Sequence, residues 1–286
     1  MPSDRVRSND GSRSQGVAAE HDLADLVAAV PNFRDAGGLP AGNRRTFRPG
    51  FVFRSGQLVD LPEAPRRAIS SLGIGQAVDL RTHAERLAQP DSLPRSVRIR
   101  IADVLADNPG SGAASLAALA NSAPSTVPVD AINAAFGGGR AAELMIGSYQ
   151  GFVLLESAQL AYRTFVSAVA HADEPLIVHC TAGKDRTGWA AAMLQLFAGV
   201  SERDIIDGYL ASNDKIAAEF DPLVDKFGVL GIEVAAIRAL VQVRAEYLEA
   251  AMDSMVSSYG DVGRYFEDGL GLTANDLGAL ESQLLD

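Results

Sequence analysis

The sequence predicts an α/β fold in which a central, mostly parallel sheet is flanked by helices. Short apolar runs typical of buried strands occupy residues 51–53, 77–80 and 176–179. Between the first two runs, residues 61–72 carry apolar side chains at helical spacing, and Gly73 suits the end of a helix. A strand, a helix and a strand in succession indicate a βαβ unit, and such a unit has parallel strands.

The remaining elements follow from the same periodicities. Residues 97–101 alternate apolar and basic side chains and predict another strand. Residues 105–139 are rich in Ala, Gly, Ser, Pro and Asn, which indicates a flexible insertion with one short helix. Helical spacing over 141–172 predicts one long or broken helix, and the apolar stretch 189–197 predicts a buried one. The sequence from 201 to 286 favours helices throughout.

The chain is predicted to form one domain preceded by a short leader. A length of 286 residues with 47% hydrophobic content is sufficient for one large core. Residues 1–20 are polar and lack an apolar run, which is typical of a disordered leader, so the domain is expected to span 21–286. No stretch resembles a membrane span or a cleavable signal peptide. We therefore expect no stable membrane insertion and a cytoplasmic location.

Charge and cysteine content narrow the classes of function. Acidic residues outnumber basic ones 36 to 25, giving a net charge of −11, which argues against a nucleic-acid-binding surface. The single cysteine, Cys180, allows no intramolecular disulfide and no thiolate metal cluster. No spacing of ligand residues indicates a metal site, and we expect neither a metal nor a cofactor. Cys180 is then either a small buried hydrophobe or a reactive thiol.

The residues around Cys180 indicate a reactive thiol at an anion site. The last predicted strand ends at this cysteine, and Arg186 stands six positions later, where the apolar helix begins. Backbone amides of a tight loop and of a helix N-terminus converge there, which favours a phosphate dianion. Phosphate binding is therefore predicted for Thr181, Ala182, Gly183, Lys184, Asp185 and Arg186.

The same loop supplies the groups needed to cleave a phosphate ester. Thiols at helix N-termini ionise readily, so Cys180 can attack phosphorus as a thiolate without a separate base. The planar guanidinium of Arg186 can hold two phosphate oxygens and gain strength as charge builds in the transition state. The Thr187 hydroxyl can bond the sulfur and make it a better leaving group. An amide-cleaving cysteine hydrolase is the weaker hypothesis, because His179 points to the opposite face of its strand and no base is placed.

Three aspartates compete for the role of general acid, the group that protonates the leaving oxygen. Asp185 lies inside the loop next to Arg186, so the chain itself keeps it close to the site. Asp79 ends a predicted strand at the sheet edge where α/β proteins bind ligands, and its alternative role is to orient the loop or its arginine. Asp103 follows another predicted strand and could swing over the site. We favour Asp185 over Asp79 and keep Asp103 as the third candidate.

Three charged residues earlier in the chain receive a structural interpretation. Arg34 and Asp35 are interpreted as a buried pair that ties the N-terminal segment to the core. Arg54, which follows the first predicted strand, is given the same status. The alternative that stays open for these residues is contact with the substrate.

The interval from Cys180 to Arg186 resembles the Cys-x5-Arg signature of the protein tyrosine phosphatase superfamily. Further motifs are similar to those of the atypical bacterial tyrosine phosphatases, including mycobacterial members. These motifs are Asn32-Phe33-Arg34-Asp35, Phe53-Arg54-Ser55, Val78-Asp79-Leu80-Arg81, Tyr209-Leu210, Ser212-Asn213-Asp214 and Val243-Arg244-Ala245-Glu246-Tyr247-Leu248. The resemblance covers most of the chain from 30 to 272 and implies a tyrosine-phosphatase-like fold.

The resemblance also implies a reaction and a range of substrates. Hydrolysis of phosphomonoesters is expected to pass through a phosphocysteine intermediate, with the loop aspartate, Asp185, as general acid. Phosphotyrosine is the expected substrate. Phosphoserine, phosphothreonine and phosphoinositides are allowed, since Lys184-Asp185-Arg186 is similar to the loops of phosphoinositide phosphatases. The family also allows secretion without a cleavable signal peptide.

Residues 213–242 match the mobile helical pair that covers the site in mycobacterial members, and we expect them to form a lid. Ile216, Phe220 and Val224 give this segment an apolar stripe that could close over a substrate ring or pack into the core.

Two alternatives to the main hypothesis, a cysteine-dependent phosphatase, stay open. They are a phosphoinositide-selective lipid phosphatase and a catalytically silent phosphate-binding module. The oligomeric state is not predicted.

Overall fold

A computed structural model of the protein describes residues 23–107 and 128–286. The predicted leader, 1–20, lies outside these residues, as does the middle of the predicted insertion, 105–139. The described part forms an α/β structure around one five-stranded sheet, which confirms the predicted fold class.

The strands of this sheet are β1 (Arg34–Asp35), β2 (Val52–Ser55), β3 (Gln76–Asp79), β4 (Arg98–Ile101) and β5 (Leu176–His179). Their order is β1-β2-β5-β3-β4, with β1 antiparallel to β2 and the other neighbours parallel. The four parallel strands are the predicted ones: β2, β3 and β5 were predicted from apolar runs, and β4 from its alternation of apolar and basic residues. The sequence did not predict β1, because a two-residue strand carries no periodicity. Strand β5, which leads into Cys180, is the central strand.

The helices are α1 (23–29), α2 (Glu63–Ser71), α3 (His83–Ala88), α4 (Val129–Phe136), α5 (Arg140–Leu154), α6 (Glu156–Ala170), α7 (Arg186–Phe197), α8 (Glu202–Leu210), α9 (Ser212–Val229), α10 (Val234–Val241), α11 (Ala245–Tyr259), α12 (Val262–Arg264) and α13 (Ala274–Leu284). The predicted helix over 141–172 is broken at Leu155, whose backbone is extended. Helix α4 supplies the short helix expected in the insertion. Helix α3, which matters for the site, was not predicted.

Alternate residues of β2, β3 and β5 face two different cores, whereas the residues of the edge strand β4 are exposed. Val52, Val78 and Val178 belong to a large cluster shared with α5, α6, α7 and α11. Phe53 and Ile177 belong to a smaller cluster shared with α1 and α2. The central strands are therefore covered on both faces, which explains their continuous apolar character. The carboxyl ends of β2, β5 and β3 remain at one edge, where the loop after β5 emerges.

The expected lid segment, 213–242, contains most of α9 and all of α10. Its predicted apolar stripe packs toward the core: Ile216 and Val224 are buried, and Phe220 is partly buried against the large cluster. No helix among residues 23–107 and 128–286 has both the length and the apolar character that a membrane span needs.

Candidate active site

The loop that follows β5 is shaped by one glycine. Cys180 is buried at the end of the strand, and Arg186 is the first residue of α7. Between them, Gly183 has φ +67, and a Cβ there would lie 2.3 Å from the carbonyl carbon of Ser55. A side chain would be strained by its backbone angle and would also collide with the end of β2. The close approach of the loop to β2 therefore requires glycine.

The carbonyl groups of this loop are turned back toward the body of the protein. The Gly183 carbonyl accepts hydrogen bonds from Asn32 Nδ2 at 2.7 Å and from Arg54 Nη2 at 2.9 Å. The Thr181 carbonyl accepts a backbone N–H from the segment after β2. Because C=O and N–H point in opposite directions across a planar peptide, the amides that follow face away from the body. Among the described residues, no backbone N–H from Thr181 to Asp185 donates a hydrogen bond to another residue.

Arg186 is held by a carboxylate that the sequence analysis did not assign to the site. Its Nη1 and Nη2 donate to the two carboxylate oxygens of Glu85, both at 2.8 Å. Glu85 lies in the first turn of α3, where it forms a capping box with Thr82, and it also accepts a hydrogen bond from Thr181. Burial alone would raise the pKa of Glu85, but the bonds and the charge of Arg186 lower it well below its usual range. The guanidinium is therefore fixed before any substrate binds.

Asp185 and Thr187, which flank Arg186 at the start of α7, differ in their hydrogen bonding. The Thr187 hydroxyl is fully buried, and it has no hydrogen-bond partner within the described parts of the chain. Asp185 accepts a hydrogen bond from the Tyr149 hydroxyl at its Oδ1, at 2.9 Å. An unpaired buried hydroxyl costs stability, so Thr187 is a candidate for a role in the reaction.

Lys184 points toward the expected lid segment, 213–242. Its Nζ donates to the backbone carbonyl of Leu240, in α10, at 2.7 Å. The same Nζ lies 3.5 Å from Asp185 Oδ2 and 5.9 Å from the centre of the Phe220 ring, in α9. The ammonium thus ties the loop to both helices of the lid segment.

The chain from 26 to 286 matches a model of the tyrosine phosphatase family. This protein belongs to the tyrosine phosphatase family. It is accordingly a protein tyrosine phosphatase, a hydrolase of phosphoric monoesters, as the resemblance noted in the sequence implied.

Three relatives agree with this assignment. A protein of Cupriavidus necator, provisionally named a tyrosine-protein phosphatase, is 31% identical over 254 residues, which cover 89% of this chain and 86% of that protein. The triple specificity protein phosphatase PtpB of Mycobacterium tuberculosis is 30% identical over 259 residues, 83% of this chain and 90% of PtpB. A tyrosine-protein phosphatase of Nostoc commune is 30% identical over 221 residues, 71% of this chain and 68% of that protein.

Two of the three aspartates considered as general acid are committed elsewhere in the phosphatase. Asp79 accepts hydrogen bonds from Arg81, through Nε at 3.0 Å and Nη2 at 2.8 Å. Burial alone would raise the pKa of Asp79, but these bonds keep it below its usual value. Asp103 accepts the backbone N–H of His83 at 2.9 Å, at the start of α3. The expected orientation of the loop arginine by Asp79 is not seen, since Glu85 occupies that position.

Asp79 also belongs to a buried cluster with the spacing of a metal site. The ligand atoms of Asp79, Asp91 and His179 all lie within 4.8 Å of one another. However, Arg81 Nη2 lies 2.8 Å from Asp79 and 2.7 Å from Asp91, so a guanidinium already supplies the positive charge between the two carboxylates. The cluster is an ion-pair network at the carboxyl ends of β3 and β5, and we assign no metal to it.

The expected pair of Arg34 and Asp35 is wrong, because each contacts other groups. Arg34 donates to the carbonyl of Gly208 at 3.0 Å, while Asp35 accepts two backbone N–H groups from the turns beside β1. Arg54 does not only support the N-terminal segment, because it donates a hydrogen bond directly to the Gly183 carbonyl of the loop. Burial lowers the pKa of Arg54 to about 10. Arg54 therefore places a second buried cation beneath the loop.

Proposed function

We propose that this phosphatase transfers the phosphoryl group of its substrate to Cys180 and then to water. The thiolate sulfur attacks phosphorus, an S–P bond forms, and the P–O bond to the leaving group breaks while Asp185 gives that oxygen its proton. Water then attacks phosphorus and returns a proton to Asp185, the S–P bond breaks, and phosphate leaves. The observation that best supports this scheme is the loop between Cys180 and Arg186, whose carbonyls are tied back and whose amides are unpaired.

Arg186 is proposed to bind the phosphate with the donors that Glu85 leaves free. A guanidinium carries five N–H groups, and Glu85 takes one from each Nη. Nη1 and Nη2 make further, longer contacts, to the Leu80 carbonyl and to the Thr181 hydroxyl, both at 3.4 Å. Nε–H has no partner among the described residues and can be offered to a phosphate oxygen, and the long Nη contacts can be exchanged for phosphate oxygens. Since the Glu85 bonds fix the plane of the guanidinium, little rotamer entropy is lost when substrate binds.

Asp185 is the aspartate that we propose as general acid. It directly precedes Arg186 within the loop, whereas Asp79 and Asp103 are bonded to groups outside the loop, Arg81 and the backbone at the start of α3. Thr187, with its buried unpaired hydroxyl, is proposed to bond the sulfur of Cys180 as the S–P bond breaks. This would stabilise the departing thiolate in the second step.

Phosphotyrosine in proteins is the proposed main substrate, with phosphoserine, phosphothreonine and phosphoinositides as further substrates. The printed name of PtpB, a triple specificity phosphatase, supports broad specificity. Lys184 is the residue proposed to read an additional phosphate on an inositol ring, once it is released from the Leu240 carbonyl. A phosphoinositide-selective lipid phosphatase is the competing proposal. The silent phosphate-binding module is set aside, because the chain is a tyrosine phosphatase that has Cys180, Asp185 and Thr187 in place.

The wider proposals concern organisation and location. We propose a single phosphatase domain over 21–286, with 213–242 as a lid that opens for substrate, and no nucleic-acid partner, in keeping with the net charge of −11. For location we propose the cytoplasm, or export without a cleavable signal peptide. Fractionation of cells that express the full chain distinguishes the two.

The test compares phosphotyrosine peptides, phosphoserine or phosphothreonine peptides, and a phosphoinositide panel. Cys180→Ser should abolish turnover of all three classes. Lys184→Met should lower kcat/KM for phosphoinositides more than for phosphotyrosine peptides, because a second phosphate on the inositol ring depends on this charge more than the phosphate at Cys180 does. An equal loss on every substrate would contradict the role of Lys184. Turnover of phosphoinositides without any turnover of phosphopeptides would favour the competing proposal.

Asp185→Asn tests the general acid separately. The variant should lose the alkaline limb of its pH profile and should slow esters with poor leaving groups more than those with good ones, because only poor leaving groups need the proton. If Asp79→Asn or Asp103→Asn alone produced this pattern, the assignment would be wrong.

A further inference from the structure

Two tyrosines stand behind the proposed general acid. Tyr149, on α5, donates its hydroxyl to Asp185 Oδ1 at 2.9 Å, and its oxygen lies 2.6 Å from the hydroxyl of Tyr209, on α8. Both side chains are buried, and their rings meet edge to face with centroids 6.2 Å apart. Three hydrogen-bonding groups from three separate elements therefore form one chain that ends at Asp185.

We infer that Tyr149, supported by Tyr209, is a positioning residue that fixes the Asp185 carboxyl group and stabilises its charge after the proton has been delivered. The inference rests on the proposed role of Asp185 as general acid. It deepens that proposal by naming the groups that hold the carboxyl group in place and bond it.

The direction of these hydrogen bonds follows from the number of protons that the two tyrosine hydroxyls can donate. Burial raises the pKa of Tyr149 and of Tyr209 well above the usual value, so both hydroxyls stay protonated. Each hydroxyl has one proton to donate. Since Tyr149 donates its proton to Asp185, the short contact between the tyrosines must be donated by Tyr209. The chain thus runs from Tyr209 through Tyr149 to Oδ1.

This direction assigns different tasks to the two carboxyl oxygens of Asp185. Oδ1 accepts the Tyr149 hydroxyl, so the proton that passes to the leaving group is carried by Oδ2. Oδ2 is also the oxygen that lies 3.5 Å from Lys184 Nζ. A hydrogen bond to a carboxylate is stronger than one to the neutral acid, so Tyr149 favours the charged form that remains after proton transfer.

Other charged and titratable groups surround the same carboxyl. They are Arg54 on β2, Tyr162 on α6, Cys180, Lys184 and Arg186 in the loop and at its end, and Tyr247 on α11. The cations among them favour the carboxylate, as Tyr149 does. Tyr149 and Lys184 are the neighbours with polar atoms closest to the carboxyl oxygens, at 2.9 Å and 3.5 Å. A change at Tyr149 should therefore move the alkaline limb of the pH profile without abolishing it.

Tyr149→Phe keeps the buried ring and removes the donor. The alkaline limb of kcat/KM for an aryl phosphate with a poor leaving group should move to higher pH by about one to two units, the shift expected from losing one hydrogen bond to a charged group. Tyr209→Phe should move the limb in the same direction by a smaller amount, because it only weakens Tyr149 as a donor. Tyr265→Phe is the matched control, since that buried hydroxyl has no hydrogen-bond partner among the described residues. Its profile should match the wild type.

A double-variant comparison completes the test. In an Asp185→Asn background, adding Tyr149→Phe should leave both the pH profile and the leaving-group dependence unchanged, because the group on which Tyr149 acts is gone. Suppose that Asp185→Asn behaves as proposed, while Tyr149→Phe and Tyr209→Phe both keep the alkaline limb of kcat/KM at the wild-type pH. The inference about Tyr149 is then overturned, and the assignment of Asp185 as general acid is retained. If Asp185→Asn keeps wild-type leaving-group dependence, the assignment of the acid and the inference both fall. Should Tyr149→Phe fold poorly, Tyr209→Phe decides the question with Tyr149 intact.

Discussion

The ion pair between Glu85 and Arg186 gives the sharpest prediction about how the phosphatase is built. In Glu85→Gln the side chain keeps its size, but one of the two oxygens that accept from Arg186 becomes an NH₂ group. That NH₂ would face a guanidinium N–H, donor against donor. The guanidinium should therefore turn away from the orientation in which both of its Nη groups are bound at 2.8 Å.

The magnitude follows from the bonds involved. A hydrogen bond to a charged group is worth about 1.5 to 3 kcal/mol. The Glu85 side chain is only 22% exposed, so solvent screens this pair weakly. If the transition state loses one such bond to Arg186, kcat/KM should fall by roughly 10- to 150-fold. Because Cys180 and Asp185 are untouched, some turnover should remain.

Steady-state hydrolysis of a phosphotyrosine peptide measures this effect. Glu63→Gln is the matched control, since Glu63 also lies in the first turn of a helix and pairs with an arginine, Arg67, but at 3.6 Å and with 72% of its side chain exposed. The control should stay within about twofold of the wild type, as expected for an exposed pair. A loss below threefold in Glu85→Gln would refute the view that Glu85 orients the arginine, and so would an equal loss in Glu63→Gln.

Three further predictions concern the loop. Gly183→Ala should lower the free energy of unfolding by about 2 to 5 kcal/mol in urea titrations, because a strained φ and a clash with Ser55 add together; full stability would contradict the described loop. Thr187→Val should lower kcat and let phosphocysteine accumulate in rapid-quench experiments while unfolding stability stays the same or rises, because an unpaired buried hydroxyl is removed; unchanged kcat would contradict its role. The pKa of Glu85 is lowered in the folded protein, so the contribution of this carboxylate to stability is complete above its ordinary pKa of 4.5 and is lost as the pH falls below that value. Below about pH 4.5, the free energy of unfolding of Glu85→Gln should therefore fall less steeply with pH than that of the wild type.

Much of the fold was predictable because its signals are local. The apolar runs that form β2, β3 and β5 are buried on both faces, and such strands are recognisable from a few adjacent residues. The interval from Cys180 to Arg186 is also local, since one strand, one loop and one helix start carry it. The sequence therefore predicted the reactive loop and the sheet around it.

The groups that support the loop were not predictable in the same way. Glu85 and Arg186 are 101 positions apart, and only the parallel pairing of β3 with β5 brings α3 beside α7. The Thr82-x-x-Glu85 spacing is readable as a capping box and could have predicted α3, yet it does not say which cation the glutamate meets. Tyr149 is 36 positions from Asp185 and looked like one more apolar residue of a helix.

Asp79 shows how position on a strand can mislead. It stands at the carboxyl edge of β3, as predicted, and this edge is where α/β proteins bind ligands. Its carboxylate is nonetheless directed to Arg81, two residues along the chain. Which of two nearby arginines a buried carboxylate selects depends on side-chain geometry, and spacing alone does not contain it.

The most direct test of the account is the detection of a phosphoryl group on Cys180. Wild-type phosphatase is mixed with excess phosphotyrosine peptide, quenched in acid within the first turnover, and digested for mass spectrometry, with Cys180→Ser treated in parallel. We predict one phosphoryl group on the peptide that contains Cys180 in the wild type, a higher level of it in Thr187→Val, where the second step is slowed, and no turnover in Cys180→Ser. Phosphate release by pure Cys180→Ser at the wild-type rate would contradict the central claim.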